Sequence, residues 1–124
     1  MQYLLLVYPD AELLDKLPAE VFNTEMRECL QQADAQAAQG KVLGFQQLQP
    51  PAAARTVRSR NGRTTVLDGP FAETKEMLAG FTLVEAESMD EAVHMAQELP
   101  WIKYGCVEVR PVSDIAAMRA RVGA

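Results

Sequence analysis

The sequence predicts an α+β fold in which two helices cover one face of an antiparallel sheet. Three observations carry that prediction. Residues 2–8 are apolar at nearly every position, which reads as a strand covered on both faces. Two stretches, Pro18–Gln39 and Ser88–Leu99, repeat apolar residues at spacings of three and four and read as helices. Asn61-Gly62 lies between two strand-like runs, and a two-residue type I′ hairpin turn needs residues that accept positive φ at both positions.

Each element has its own local reason. The first strand ends at Pro9-Asp10, and residues 10–17 read as a connection. In the first helix Phe22, Met26, Cys29 or Leu30, Ala33 and Ala37 form one stripe, while Glu25, Arg27, Gln31, Gln32 and Gln36 form a polar face. Pro18 suits its first turn, Glu20 its positive end, and Gly40 its stop. A second strand follows over Val42–Gln49, closed by Pro50-Pro51. Arg55–Arg60 and Arg63–Leu67 make the hairpin, and Leu78–Ala86 the next strand. Ser88 and Glu91 have capping-box spacing, with Ala92, Val93, Ala96 and Leu99 facing inward until Pro100 ends the helix. Cys106–Arg110 is the last strand, and 113–124 is a tail with a weak helical pattern in Ile115, Met118 and Val122. Without the inserted β-hairpin the order is β-α-β-β-α-β, the ferredoxin-like arrangement, in one domain over 1–112.

Two helices cover only one face of such a sheet. Residues 3–8 and 81–84 nevertheless look apolar on both faces, so the open sheet face is expected to pack on another copy in a homodimer. A net charge of −5 argues against direct nucleic-acid binding by the domain as a whole. The apolar run Tyr3–Tyr8 is too short for a membrane span and lacks the flanks of a signal peptide. Cys29 and Cys106 are far apart in sequence and read as two buried thiols in a reducing compartment, so a cytoplasmic location is expected. Neither metal-ligand spacing nor a phosphate or dinucleotide loop occurs, and no metal or cofactor is expected.

The stretch Asp68-Gly69-Pro70-Phe71 with Glu73-Thr74-Lys75-Glu76 resembles the signature of DGPF-domain proteins, a branch of the YCII-related family. The resemblance extends over roughly residues 1–112 through Tyr3–Tyr8, Leu48–Pro51, Thr56–Arg58, Gly80-Phe81, Asp90–Ala92 and Val107–Pro111. It implies a dimeric α+β barrel. Some members of the branch are encoded beside extracytoplasmic-function sigma factors, which implies a sigma-factor association. Relatives studied as enzymes use a His–Asp dyad in the N-terminal half, but the one histidine here, His94, matches no such position. In the second helix many DGPF proteins carry a tryptophan, with a histidine before the closing proline; Met95 and Leu99 stand in those places here.

The signature loop admits two readings. As a turn, Asp68 accepts backbone hydrogen bonds, Gly69 supplies positive φ, Pro70 fixes the next φ, and Phe71 plugs the core. As a site, Asp68 or Glu73 is a carboxylate in a cleft, and Lys75 is its partner for proton transfer. Gly69, Phe71 and Arg58 are then the ligand contacts. Arg55, Arg58, Arg60 and Arg63 suit either an anionic ligand or an exposed hairpin protected against edge pairing. His94 reads as packing or surface. Tyr3, Tyr8, Phe45, Phe81, Trp101 and Tyr104 read as core or interface aromatics. The function expected is binding of a small polar or anionic organic ligand near Asp68–Glu76. The alternatives are a lyase or isomerase acting on a small organic acid, with Asp68 or Glu73 as base, and a regulatory partner of a sigma factor.

Overall fold

The structure is a computed structural model and describes residues 1–124. The elements run β1 (Gln2–Pro9), α1 (Ala11–Asp15), α2 (Ala19–Ala38), β2 (Val42–Gln47), β3 (Arg55–Arg60), β4 (Arg63–Asp68), β5 (Gly80–Glu85), α3 (Met89–Gln97), β6 (Gly105–Pro111) and α4 (Ile115–Val122). Single 3₁₀ turns cover Pro51–Ala53 and Pro100–Tyr104. The main sheet has the order β2-β5-β1-β6 with every neighbouring pair antiparallel, which is the ferredoxin-like topology. The ribbon β3–β4 forms a separate sheet, turned at Asn61 and Gly62 with φ of 52° and 75°. Both values lie where a type I′ turn requires them.

β1 lies between β5 and β6, and its period of two divides its side chains between the faces. Tyr3 and Leu5 point to the helices and join Val42, Val84, Ala92, Met95 and Ala96 in the core, with Phe45, Leu99, Val107 and Val109 packed around them. α2 packs on β2, and α3 on β1 and β6. Leu4, Leu6 and Tyr8 point the other way, joined in register by Phe81 and Leu83 of β5. They form a half-buried apolar row that no helix covers.

Several expectations need correcting. Residues 11–15 are helical, because Asp10 caps them by accepting the Glu12 N–H at 2.9 Å. Glu25 belongs to the buried side of α2, where both its carboxylate oxygens lie within 2.9 Å of Lys103 Nζ. That hydrogen bond raises the Lys103 pKa above its ordinary value. Of the pair Cys29 or Leu30 it is Cys29 that is half-buried, while Leu30 is exposed, and Ala37 near the end of α2 is exposed as well. In α3 Met95 takes the inward place expected of Val93. Ser88 caps α3 by accepting the Glu91 N–H, and Glu91 reaches back one residue further than a capping box, to the Glu87 N–H. Cys106 is exposed rather than buried, because it stands opposite Tyr8 on the open face; Cys29 is half-buried, and both thiols are free. α4 is capped by Asp114 and by Gly123 (φ 72°), yet buries none of its residues. No helix is long and apolar enough to cross a membrane.

Close approach of β6 to β1 depends on Gly105. A Cβ there would overlap the Tyr8 carbonyl oxygen and Pro9 Cα, all backbone atoms that have no room to yield. Gly105→Ala is expected to cost about 1–3 kcal/mol in denaturant unfolding, as overpacking does. Gly44→Ala, where nothing lies within 4 Å of the added carbon, is expected to stay within about 0.5 kcal/mol of the parent.

Candidate functional site

The signature loop leaves the ribbon at a clamp. Gly69 has φ of 90°, its N–H donates to the Ala54 carbonyl at 2.7 Å, and its own carbonyl accepts from Thr56 Oγ1 at 2.9 Å. A side chain at that φ would be strained, so glycine lets the chain turn out of β4 here. The far end of the loop is tied to β1. Glu76 forms an isolated antiparallel bridge with Asp10, and Lys75 Nζ stands 3.4 Å from the largely buried Asp10 carboxylate. Ala79 then donates to Val7 and accepts from Leu48, which leads the chain into β5.

Between these anchors lies a cleft of about 490 Å³ at the end of the open sheet face. One wall is Leu48–Ala54 with its prolines, the other is the signature loop, and Tyr8 forms part of the lining. From the loop Pro70, Ala72, Thr74, Glu76 and Leu78 contribute, each two residues from the next, together with Phe71 and Met77. Gly69, Glu73 and Lys75 do not line it. The Thr74 hydroxyl donates to the Glu76 carbonyl at 2.6 Å, which fixes the backbone beside the acid.

The predicted site residues therefore do not converge. Asp68 is 94% exposed in its side chain and pairs loosely with Arg55 at 3.5 Å. Glu73 is exposed, and Arg58 stands on the ribbon away from the cleft. Lys75 is engaged with Asp10 rather than with Asp68 or Glu73. Phe71 does line the cleft, but it is 79% exposed and plugs no core, because the loop passes outside the body instead of folding back over it. His94 is exposed and pairs with Glu98 at 3.0 Å one helical turn on. The carboxylate on the cleft wall is Glu76. Glu76 is the acid of the signature that stands where the loop rejoins the sheet, at its bridge with Asp10.

Glu76 has a second neighbour. The Cys106 pKa is raised, first by desolvation and then by the nearby Glu76 and Glu108 carboxylates. Tyr8 stands opposite Cys106 in the β1–β6 register and lines the cleft together with Glu76. The thiol is held neutral there, as a weak donor rather than a nucleophilic thiolate. No group of three or more His, Cys, Asp or Glu side chains is placed to hold a metal ion.

A family model of the YCII-related domain matches residues 1–116. The chain belongs to the YCII-related family. Within similar sequences, an uncharacterized protein of Rhizobium meliloti (strain 1021) is 37% identical over 115 residues, covering 91% of this chain and 93% of that one. Among solved structures, this YCII-related chain is similar to 5-chloro-2-hydroxyhydroquinone dehydrochlorinase of Burkholderia phenoliruptrix AC1100 in complex with 2,5-dihydroxybenzoquinone. The TM-score is 0.50 at 18% identity, over 91% of this chain and 94% of the other. At that identity the likeness concerns the fold.

Alkylation of Cys106 in a Cys29→Ser background is expected to be half-maximal above the pH of an unperturbed cysteine, read as rate against pH. The sign follows from the raised pKa. Glu76→Gln removes a negative charge beside the thiolate and is expected to shift the profile to lower pH.

Proposed function

We propose that this YCII-related protein binds a small polar organic molecule in the cleft between the signature loop and Leu48–Ala54, as a homodimer joined through the open sheet face. The cleft carries the ligand reading. Its volume of about 490 Å³ lies within the roughly 300–1,000 Å³ usual for small-molecule sites, and its walls are mostly apolar with a few polar groups. The Glu76 carboxylate accepts hydrogen bonds, and the Tyr8 hydroxyl both donates and accepts. A ring or short chain bearing hydroxyl or amino donors suits that pair. The lining has one carboxylate and no cation, so a neutral ligand fits it better than the anionic one suggested by the arginine-rich hairpin. The fold is compatible with such a ligand, as the dehydrochlorinase in complex with 2,5-dihydroxybenzoquinone illustrates.

A lyase or isomerase reaction would need a base touching the ligand. Glu76 is in that position, whereas Asp68 and Glu73 are not. The homodimer reading is supported by the uncovered row Leu4, Leu6, Tyr8, Phe81 and Leu83. It is also supported by a thin core, since only 14 of 124 residues are buried in a chain long enough to bury most of its surface.

In a thermal-shift screen, hydroxylated aromatic compounds and amino-bearing metabolites are expected to raise the Tm; a ligand at 100 times its Kd stabilises by about 2.7 kcal/mol. Glu76→Gln is expected to lose the shift and Asp68→Asn to keep it. The opposite pattern would move the ligand away from this cleft. If no metabolite shifts the Tm and a sigma factor co-purifies, the regulatory reading replaces this one. Light scattering is expected to give a dimer that Leu6→Glu converts to a monomer, and a monomeric parent would remove the homodimer reading.

A further inference from the structure

The apolar stripe at the start of α2 does not close on the sheet. Phe22, Met26 and Cys29, at spacings of four and three, are each only half-buried, whereas Ala33 further along the same stripe is buried. A cavity of about 180 Å³ lies between that half of the helix and the sheet. Its floor is the cross-strand pair Phe45–Thr82 and the pair Val7–Gly80, in which the glycine contributes no side chain. Trp101 also lines it, with its ring centroid 5.5 Å from that of Phe22. The cleft at the signature loop lies on the other face of the sheet. Tyr8 lines the cleft and Val7 the cavity, and Leu48 is the one residue that lines both.

We propose that this cavity is a second ligand site, which takes a small uncharged aromatic ring bearing one oxygen. Size and lining choose that ligand. An apolar cavity of about 150 Å³ is enough to hold benzene, and Phe22, Phe45 and Trp101 offer ring faces and edges for offset or edge-to-face contact. No charged side chain lines the cavity, so a carboxylate or ammonium would lose its hydration there without gaining a partner. The oxygen is chosen by Gln47, which lines the cavity and is itself exposed, and so marks its mouth. Its Nε2 donates to Met26 Sδ at 2.9 Å, and a thioether is a weak acceptor that a hydroxyl or carbonyl oxygen would replace. Glu76 and Tyr8 take no part in this lining. The site is therefore chemically distinct from the cleft, and it rests on neither the cleft ligand nor the homodimer.

The two free cysteines supply the test, because Cys29 lines the cavity and Cys106 stands on the other face of the sheet. The full chain is labelled with iodoacetamide in the presence of benzyl alcohol or of benzoate, and each cysteine is read by mass spectrometry. Trp101 is the one tryptophan, so its fluorescence is expected to titrate with benzyl alcohol and to give the Kd. At ten times that Kd the empty cavity is about one part in eleven, so Cys29 labelling is expected to slow about tenfold. Cys106 labelling is expected to stay unchanged, and benzoate to protect neither thiol. Glu76→Gln is expected to keep both the protection and the fluorescence response. Equal slowing at both cysteines, or none at Cys29 up to the concentration at which the alcohol lowers helix content by circular dichroism, overturns the proposal. Benzoate protecting as strongly as the alcohol overturns it as well, and loss of protection in Glu76→Gln puts the ring in the cleft instead.

Discussion

The central strand β1 is the constraint on which the other elements depend. It pairs with β5 on one side and β6 on the other, and its side chains supply the core on one face and the apolar row on the other. Leu5, 1% exposed, anchors the helix side. Because the pleat has a period of two, fixing Leu5 inward also fixes Leu4, Leu6 and Tyr8 outward; a slip of one residue would exchange the sets. The strand then ends at Asp10, whose carboxylate serves two segments. One oxygen caps α1 and the other faces Lys75 of the signature loop. The same strand that organises the core thus positions the hydroxyl of Tyr8 and the loop that faces it.

The loop is held at two points. The clamp at Gly69 turns the chain out of the ribbon, and the bridge at Asp10–Glu76 returns it to the sheet. Glu76 is on the cleft side, and Glu73 and Lys75 are on the other. The acid beside the cleft is set by the bridge to Asp10, not by closeness to the Asp-Gly-Pro turn.

Local chemistry was legible in the sequence, and distant contact was not. Topology followed from a near-continuous apolar strand, two helical periods and an Asn-Gly turn, each of which acts over a few residues. Ser88 was readable as a cap for the same reason. Phe71, Glu25 and Cys106 were misread because their burial depends on what lies opposite in space. Phe71 stands on a segment that passes outside the body, and Glu25 meets Lys103, 78 positions away. Cys106 follows the outward parity of β6, which the register with β1 sets and composition does not. A cleft was expected beside the signature loop, but its other wall was not legible for a similar reason, since the two walls are separated by the whole ribbon.

The apolar surface left uncovered has a common pattern. The row on β1 and β5, the valine pair on the ribbon and the stripe Ile115, Met118 and Val122 on α4 each follow the period of their own element. Scattered apolar side chains on a monomer carry no such order. Burying a single Val or Leu is worth about 1.5–3 kcal/mol, a large share of the roughly 5–15 kcal/mol that holds a domain together. Periodic rows of this kind cost stability through the water they meet when uncovered and gain it when a complementary surface meets them. The lone carboxylate of the cleft lies beside one of these rows, through Tyr8. Covering the row would dry that side of the cleft and strengthen every hydrogen bond Glu76 makes there, so the proposed assembly and the proposed ligand binding would draw on the same patch of sheet.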